Sequence, residues 1–306
     1  MEKFEINILG CGAALPTPRR LSSSQVVNIR EKLFMLDCAE GTQMALRRSR
    51  LSFSHLQAIF LTHLHGDHTF GLIGMLSTFG LLGRIQDLHI YGPQDLQRIF
   101  QPQIDFFCAD SPYKIILHEI DTKNPQTIYE DRSLTVSTLP LSHRVPCCGY
   151  LFQEKPTPRH IRRDMIDFYH IPISQINNIK AGMDWTTEDG TLIPNERLTT
   201  PSDPVRSYAY CTDTTYRPQL ANLLQGITCL YHEATFAQEH ALLAQKTYHS
   251  TAAQAAQIAK ASQTGRLILG HFSSRYKSED ILLQEAKEIF PDTILAEDGM
   301  KITLNN

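Results

Sequence analysis

Residues 61–68 read Leu61-Thr62-His63-Leu64-His65-Gly66-Asp67-His68 and follow directly on the apolar run Leu56–Leu61. Four side chains that bind metals well fall within six residues here. Imidazole nitrogen and carboxylate oxygen suit zinc. Alternate side chains of an extended chain share a side, so His63 and His65 face one way. Gly66 allows a turn, after which Asp67 and His68 address a neighbouring position. One loop thus offers part of the shell for two metals and cannot close either.

The closing donors are sought where other apolar runs stop. Leu134–Leu141 runs into His143, Tyr208–Cys211 into Asp213, and Leu267–Leu269 into Gly270-His271. Leu33–Leu36 runs into Asp37, and the alternating Phe4, Ile6 and Ile8 stop at Gly10-Cys11-Gly12. Strand ends that share one edge of a sheet are where sites are built. The spacing predicts His63, His65 and His143 on one zinc and Asp67, His68 and His271 on a second. Asp213, with two oxygens, would bridge them. Two zinc ions held about 3.5–4 Å apart can clamp the attacking and leaving oxygens of a phosphoryl displacement.

Helical patterns at Pro93–Phe107, Ser250–Ala261 and Ser278–Ile289 lie between the strands, with Ser250 as the expected N-cap of the second. The organisation is mixed α/β. From about residue 155 to 204 the apolar periodicity fades and Pro, Arg and Asp become frequent, which reads as a long insertion into a single domain. Lys155, Arg159, Arg162 and Arg163 form a basic cluster near its start, closely followed by Asp164 and Asp167.

The hydrophobic content of 42% is enough for a large core, and the net charge of −3 rules out a uniformly basic nucleic-acid binder, so any RNA contact must be local. Seven scattered cysteines suggest no disulfide framework, and no apolar stretch has the length of a membrane span. No export signal is read at the N-terminus, and a cytoplasmic protein is expected.

The His-x-His-x-Asp-His motif and the order of the later donors resemble the metallo-β-lactamase superfamily, whose fold is a four-layer αββα sandwich. The resemblance spans nearly the whole chain. Leu36-Asp37-Cys38-Ala39-Glu40-Gly41-Thr42 is similar to the superfamily's first motif, which implies that Asp37 orients a ligand histidine. Three stretches narrow the resemblance to ribonuclease Z. They are Leu141-Ser142-His143-Arg144-Val145-Pro146-Cys147-Cys148-Gly149-Tyr150, Gly270-His271-Phe272-Ser273-Ser274-Arg275-Tyr276, and His232-Glu233-Ala234-Thr235 taken with His249-Ser250-Thr251-Ala252.

That resemblance implies an endoribonuclease that removes the 3′ trailer from precursor tRNA, with Asp67, His249 and Glu233 as its proton-handling residues. It implies that residues 155–204 are a projecting arm that grips tRNA. It further implies a homodimer, 306 residues being the length of the family's short form. The arm lacks the family's Gly-Pro-rich tip. The N-terminal loop Pro16-Thr17-Pro18-Arg19-Arg20-Leu21 keeps only Arg19 and Arg20 as candidate RNA contacts. A phosphodiesterase for small or cyclic nucleotides is the nearest rival and would need no arm. A catalytically silent RNA-binding scaffold is opposed by the complete donor set. A lactam or thioester hydrolase is not expected to carry the Glu233 and His249 motifs.

Overall fold

The computed structural model describes residues 2–305. The amino-terminal half supplies β1 (Phe4–Gly10), β2 (Ser24–Ile29), β3 (Lys32–Leu36), α1 (Thr42–Arg48), β4 (Leu56–Phe60), α2 (Gly66–Thr69), α3 (Leu72–Leu81), β5 (Leu88–Gly92), α4 (Leu96–Phe107), β6 (Ile115–Glu119), β7 (Thr127–Glu130), β8 (Leu134–Pro140) and β9 (Cys148–Glu154). The next segment holds β10 (His160–Ile161), α5 (Arg163–Phe168), α6 (Ile173–Lys180), β11 (Trp185–Thr186), β12 (Leu192–Ile193), α7 (Asn195–Leu198) and β13 (Thr199–Thr200). The last third carries β14 (Ser207–Cys211), α8 (Leu220–Leu223), β15 (Cys229–Glu233), α9 (Ala241–Thr247), α10 (Ala252–Ala261), β16 (Arg266–Gly270), α11 (Asp280–Ile289), β17 (Thr293–Leu295) and β18 (Lys301–Thr303).

Two seven-stranded sheets result, ordered β18-β1-β2-β3-β4-β5-β6 and β17-β16-β15-β14-β9-β8-β7. The central strands β3, β4 and β14 are buried along nearly their whole length and read as continuous apolar runs in the sequence, whereas the edge strands β6 and β7 are largely exposed or half-buried. In the first sheet Leu33, Met35, Ile59 and Ile90 pack with Leu46 of α1, Leu76 of α3 and Phe100 of α4. The alternate residues Phe34 and Phe60 face the second sheet and meet Phe152 at ring-centroid distances of 5.8 and 5.7 Å. Helices α10 and α11 pack on the second sheet. The layers are therefore helix, sheet, sheet, helix: the αββα sandwich.

The apolar runs of the sequence all became strands, but β2, β5, β6, β7, β9, β15, β17 and β18 of the two sheets lay outside them. β5 and β15 carry histidines within the strand, which break the run. The N-cap of α10 is Thr251, not Ser250. Thr251 and Gln254 form a reciprocal capping box. Ser250 is taken elsewhere, its amide donating to Glu233 Oε2 at 3.0 Å and its hydroxyl to the carbonyl of Thr214 at 2.7 Å.

The chain divides into two compact units, one comprising residues 131–134 and 154–205 and the other the remaining strands and helices of the sandwich. The smaller unit has a core of its own, in which Ile171, Ile179, Ile193 and Leu198 pack with Met165, Tyr169 and Trp185. Each short element gives only one or two residues to that core, so no periodicity was legible. No helix among the described residues is long and apolar enough to cross a membrane.

Phe60 sits where the two sheets meet, fully buried against Phe34, Tyr91, Tyr150 and Phe152. Phe60→Ala should destabilise the sandwich by about 3–5 kcal/mol. Urea unfolding with an unchanged slope and a lowered midpoint is the expected result.

Candidate metal centre

The site lies where strands of both sheets end. Asp37, just past β3, is fully buried. Its carboxylate accepts from the Thr62 amide at 2.8 Å, the Thr62 hydroxyl at 3.0 Å, Tyr210 Oη at 3.1 Å and His68 Nδ1 at 2.8 Å. Thr62 and His68 belong to the first sheet's loop and Tyr210 to the second sheet. Gly66 opens α2, and a Cβ there would come within 2.2 Å of the Phe70 ring, which would have to swing aside. Its φ is not positive, so the turn expected at this glycine is instead the first turn of a helix.

The hydrogen bonds fix which nitrogen of each histidine faces inward. His68 donates from Nδ1 to Asp37, and His143 from Nδ1 to the carbonyl of Tyr248 at 3.2 Å. The Thr62 hydroxyl donates to Asp37 and so accepts from His63 Nδ1 at 3.1 Å. The Thr235 hydroxyl donates to Glu233 Oε2 at 2.6 Å and accepts from His271 Nδ1 at 3.0 Å. All four histidines therefore turn Nε2 towards the centre. His65 enters through Nδ1, which lies 3.0 Å from His63 Nε2 and 3.3 Å from His143 Nε2.

Asp213 stands between the two sets. Its Oδ2 lies 3.2 Å from both His68 Nε2 and His271 Nε2, and its Oδ1 is 3.9 Å from His63 Nε2. Asp67 Oδ2 accepts from the Ala14 amide at 2.9 Å and lies 3.6 Å from His68 Nε2. Donor atoms within 4.8 Å of one another form the groups His63, His65 and His143; Asp67, His68 and His271; and His63, His68 and Asp213. His68 Nε2 and His271 Nε2 are buried, yet neither has a hydrogen-bond partner among the described residues. Imidazole and carboxylate donors that converge in this way suit shared divalent cations, and a His/Asp donor set suits zinc. The residues fit the metal that the fold implies.

Burial lowers the pKa of His63, of His65, of His143 and of His271, keeping them neutral as ligands require. For His68, burial is outweighed by Asp213 and Asp37, which raise it. Asp213 is held well below the usual carboxylate range, burial being overcome by His271, His68 and His63.

A second pair faces the same cleft. Glu233, fully buried at the end of β15, accepts from the Thr214 amide at 2.7 Å and from His249 Nδ1 at 3.0 Å. Burial opposes charge on His249, but Glu233 overcomes it and raises the imidazole to about 9. His249 also groups with Asp213 and His271 as a possible metal donor. Its Nδ1 is committed to Glu233 and lies 4.0 Å from Asp213, which favours the proton-carrying role.

The candidate RNA contacts are placed differently. Arg20 is bound to Glu279 at 2.8 Å, to Cys11 Sγ at 3.0 Å and to the carbonyl of Ala296 at 3.1 Å. Arg19 donates to Glu279 and to the carbonyls of Tyr276 and Lys277. Lys155, Arg159, Arg162 and Arg163 all lie in the smaller unit. Within it Arg159 binds Thr199 Oγ1 at 2.7 Å, Arg162 pairs with Asp164 at 2.9 Å, and Arg163 is exposed. Sequence reasoning missed the partners that set the tautomers, Thr62, Thr235 and the Tyr248 carbonyl, and the Ala14 amide on Asp67. Thr62 and Thr235 each stand within two residues of a motif acid or histidine, which was the only signal.

Two family models match parts of the chain, the Anti-Pycsar protein Apyc1 over residues 4–101 and the beta-lactamase superfamily domain over residues 197–272. Ribonuclease Z of Bacteroides thetaiotaomicron is 58% identical over 306 residues, covering 100% of this chain and 97% of its own. Ribonuclease Z of Porphyromonas gingivalis W83 is 47% identical over 99% of this chain and 100% of its own. The crystal structure of human tRNase Z, short form, superposes with a TM-score of 0.71 at 25% identity, covering 99% of this chain and 100% of that one. The metallo-beta-lactamase fold protein YhfI of Bacillus subtilis shares the fold, with a TM-score of 0.67 at 19% identity over 98% of this chain and 99% of its own. Identity at this level from end to end, on this fold, means that the chain belongs to the ribonuclease Z family of the metallo-β-lactamase superfamily.

Proposed function

We propose that two zinc ions, held by His63, His65 and His143 and by Asp67, His68 and His271, with Asp213 between them, carry the family's reaction in this chain. The chain is a tRNA 3′-processing endoribonuclease: it removes the 3′ trailer, leaving a 3′-hydroxyl on the tRNA and a 5′-phosphate on the trailer. When bound, the cations neutralise charge on the phosphodiester and make water nucleophilic at neutral pH. Asp67, aimed by the Ala14 amide, orients the attacking water and accepts its proton. The water oxygen bonds to phosphorus as the bond from phosphorus to the ribose 3′-oxygen breaks. His249 gives its proton to that departing oxygen, and Glu233 keeps His249 charged until it does.

The observation that carries this reading is the buried Glu233–His249 pair at 3.0 Å beside the metal donors. A ribose oxygen is a poor leaving group without a proton. His249→Ala should therefore slow precursor cleavage by about 10²–10⁴-fold and leave the zinc content unchanged. The loss should shrink on a nitrophenyl phosphodiester, whose leaving group needs no proton. Equal losses on the two substrates would remove His249 from this role. Asp67→Ala should abolish turnover on both.

The smaller unit is read as the arm that grips tRNA, and its separate core supports this, since a unit that packs on itself can be lost without opening the sandwich. Replacing residues 156–201 by a short flexible linker should leave hydrolysis of a small phosphodiester within about tenfold. Cleavage of precursor tRNA should fall much further, through KM. Retention of full tRNA processing would favour the small-nucleotide phosphodiesterase instead.

A homodimer is supported by the apolar residues left exposed on α1, α3 and α4 and beside them: Met44, Phe70, Leu81, Ile85, Phe106 and Phe107. Solitary proteins rarely leave so many large apolar side chains in water on neighbouring elements. Light scattering should give twice the chain mass, and Phe106→Glu with Phe107→Glu should give the single mass. A cytoplasmic setting is supported by the seven cysteines, all buried and unpaired.

A further inference from the structure

The metal centre opens into a cleft of about 270 Å³ bounded by His65, Asp67, His143 and His249. That cleft does not end at the metals. It shares Ala13, Leu15, Ser273 and Ser274 with a second cavity of about 260 Å³. The second shares Thr17, Arg19 and Arg20 with a third of about 490 Å³. All three lie within the sandwich unit. Together they make one concave track that follows the loop from Ala13 to Leu21 away from the metal centre.

The charge along this track is distinctive. Lys277 lines its middle, and Arg48, Arg50 and Lys301 line its far end. All four are exposed, and none has an ion-pair partner among the described residues. The acids of the track are engaged. Glu279 is held by Arg19 and Arg20, and Asp298 accepts from the Cys11 amide at 3.2 Å and the Leu21 amide at 2.7 Å. Elsewhere charge runs the other way. The chain is −3 in total, and the segment 154–205 holds six Lys and Arg against eight Asp and Glu. Four cations with no ion-pair partner among the described residues thus line a path that leads from the reacting centre.

We propose that this track carries the single-stranded 3′ trailer of the precursor beyond the cut, with Arg48, Arg50 and Lys301 taking its phosphates. The inference rests on the ribonuclease reading above and adds where the trailer goes. The single-stranded part of the substrate lies downstream of the scissile bond. A positively charged groove that follows a backbone is how proteins hold single strands without regard to sequence. Arg48 and Arg50 are at the end of α1, where the helix leaves them free to turn towards a phosphate.

The test compares the wild type with Arg48→Ala/Arg50→Ala/Lys301→Ala on precursors with a trailer of one nucleotide and of about twelve, within the site size of single-strand binders. For the long trailer KM should rise about tenfold at low salt with little change in kcat. The salt slope of binding should fall by about two, near 0.7 for each phosphate no longer neutralised. For the one-nucleotide trailer KM should stay within about twofold. The charge-keeping Arg48→Lys/Arg50→Lys/Lys301→Arg should recover most of the long-trailer KM. Equal losses on both trailers, or none on either, overturn the proposal. Anisotropy of a labelled single-stranded RNA of about twelve nucleotides, titrated with metal-free wild type and triple variant, supplies a reading independent of cleavage. Weaker binding by the variant supports the track, and equal binding overturns it. If the wild type cuts no precursor at all, it is the ribonuclease reading that fails, and the anisotropy result still decides whether the groove holds RNA.

Discussion

A single buried carboxylate, that of Asp37, ties the architecture to the chemistry. An isolated charge in such a position would be costly, by far more than the net stability of a domain. It is tolerated because the Thr62 amide and hydroxyl, Tyr210 and His68 satisfy it together. Those partners come from both sheets. The same interaction that closes the sandwich at this end also sets the tautomer of His68 and, through Thr62, that of His63. Asp37 thus orients two of the histidines of the candidate metal centre.

The second sheet contains a comparable device put to another use. Glu233 is as buried as Asp37 and as fully hydrogen-bonded, by Thr214, Thr235, Ser250 and His249. Asp37 aligns a histidine whose other nitrogen faces the metal donors. Glu233 binds a histidine at the rim of the same cleft and raises it to about 9, so that it keeps a proton. Two equivalent acid–histidine pairs differ in what the far side of the ring meets. Asp37, Asp213 and His271, which follow the ends of β3, β14 and β16, adopt φ of 56°, 50° and 55°, a left-handed conformation that Asp and His enter more readily than most side chains.

Much of the centre was legible because donors cluster at the ends of apolar runs. His63, His65, Asp67 and His68 form a local motif, and His143, Asp213 and His271 each follow a strand that was itself visible. The expectation that these ends share one sheet edge was too simple, since they come from two sheets that face each other. The backbone does turn at Gly66, but as the first turn of a helix and without a positive φ, which spacing alone does not distinguish. Ser250 was taken for a cap because a hydroxyl before an alanine-rich turn is the usual signal, and the demand of Glu233 for its amide is a tertiary matter. The small core of residues 154–205 escaped notice because its apolar residues come one or two at a time from short elements.

Residue type and local spacing were enough to establish the chemistry available: which atoms can bind a cation, which strands are buried on both faces, and which family the motifs resemble. These are properties of neighbours along the chain. Partners far apart in sequence settled the rest. Asp37 and Tyr210 are 173 residues apart, His143 and the Tyr248 carbonyl 105, and Arg20 and Glu279 259. The first two pairs orient side chains of the candidate centre, and the last ties to an acid a guanidinium that the sequence offered to RNA. A side chain's hydrogen bonds go to whatever folding brings within 3 Å or so, and no local pattern records which distant residue that will be.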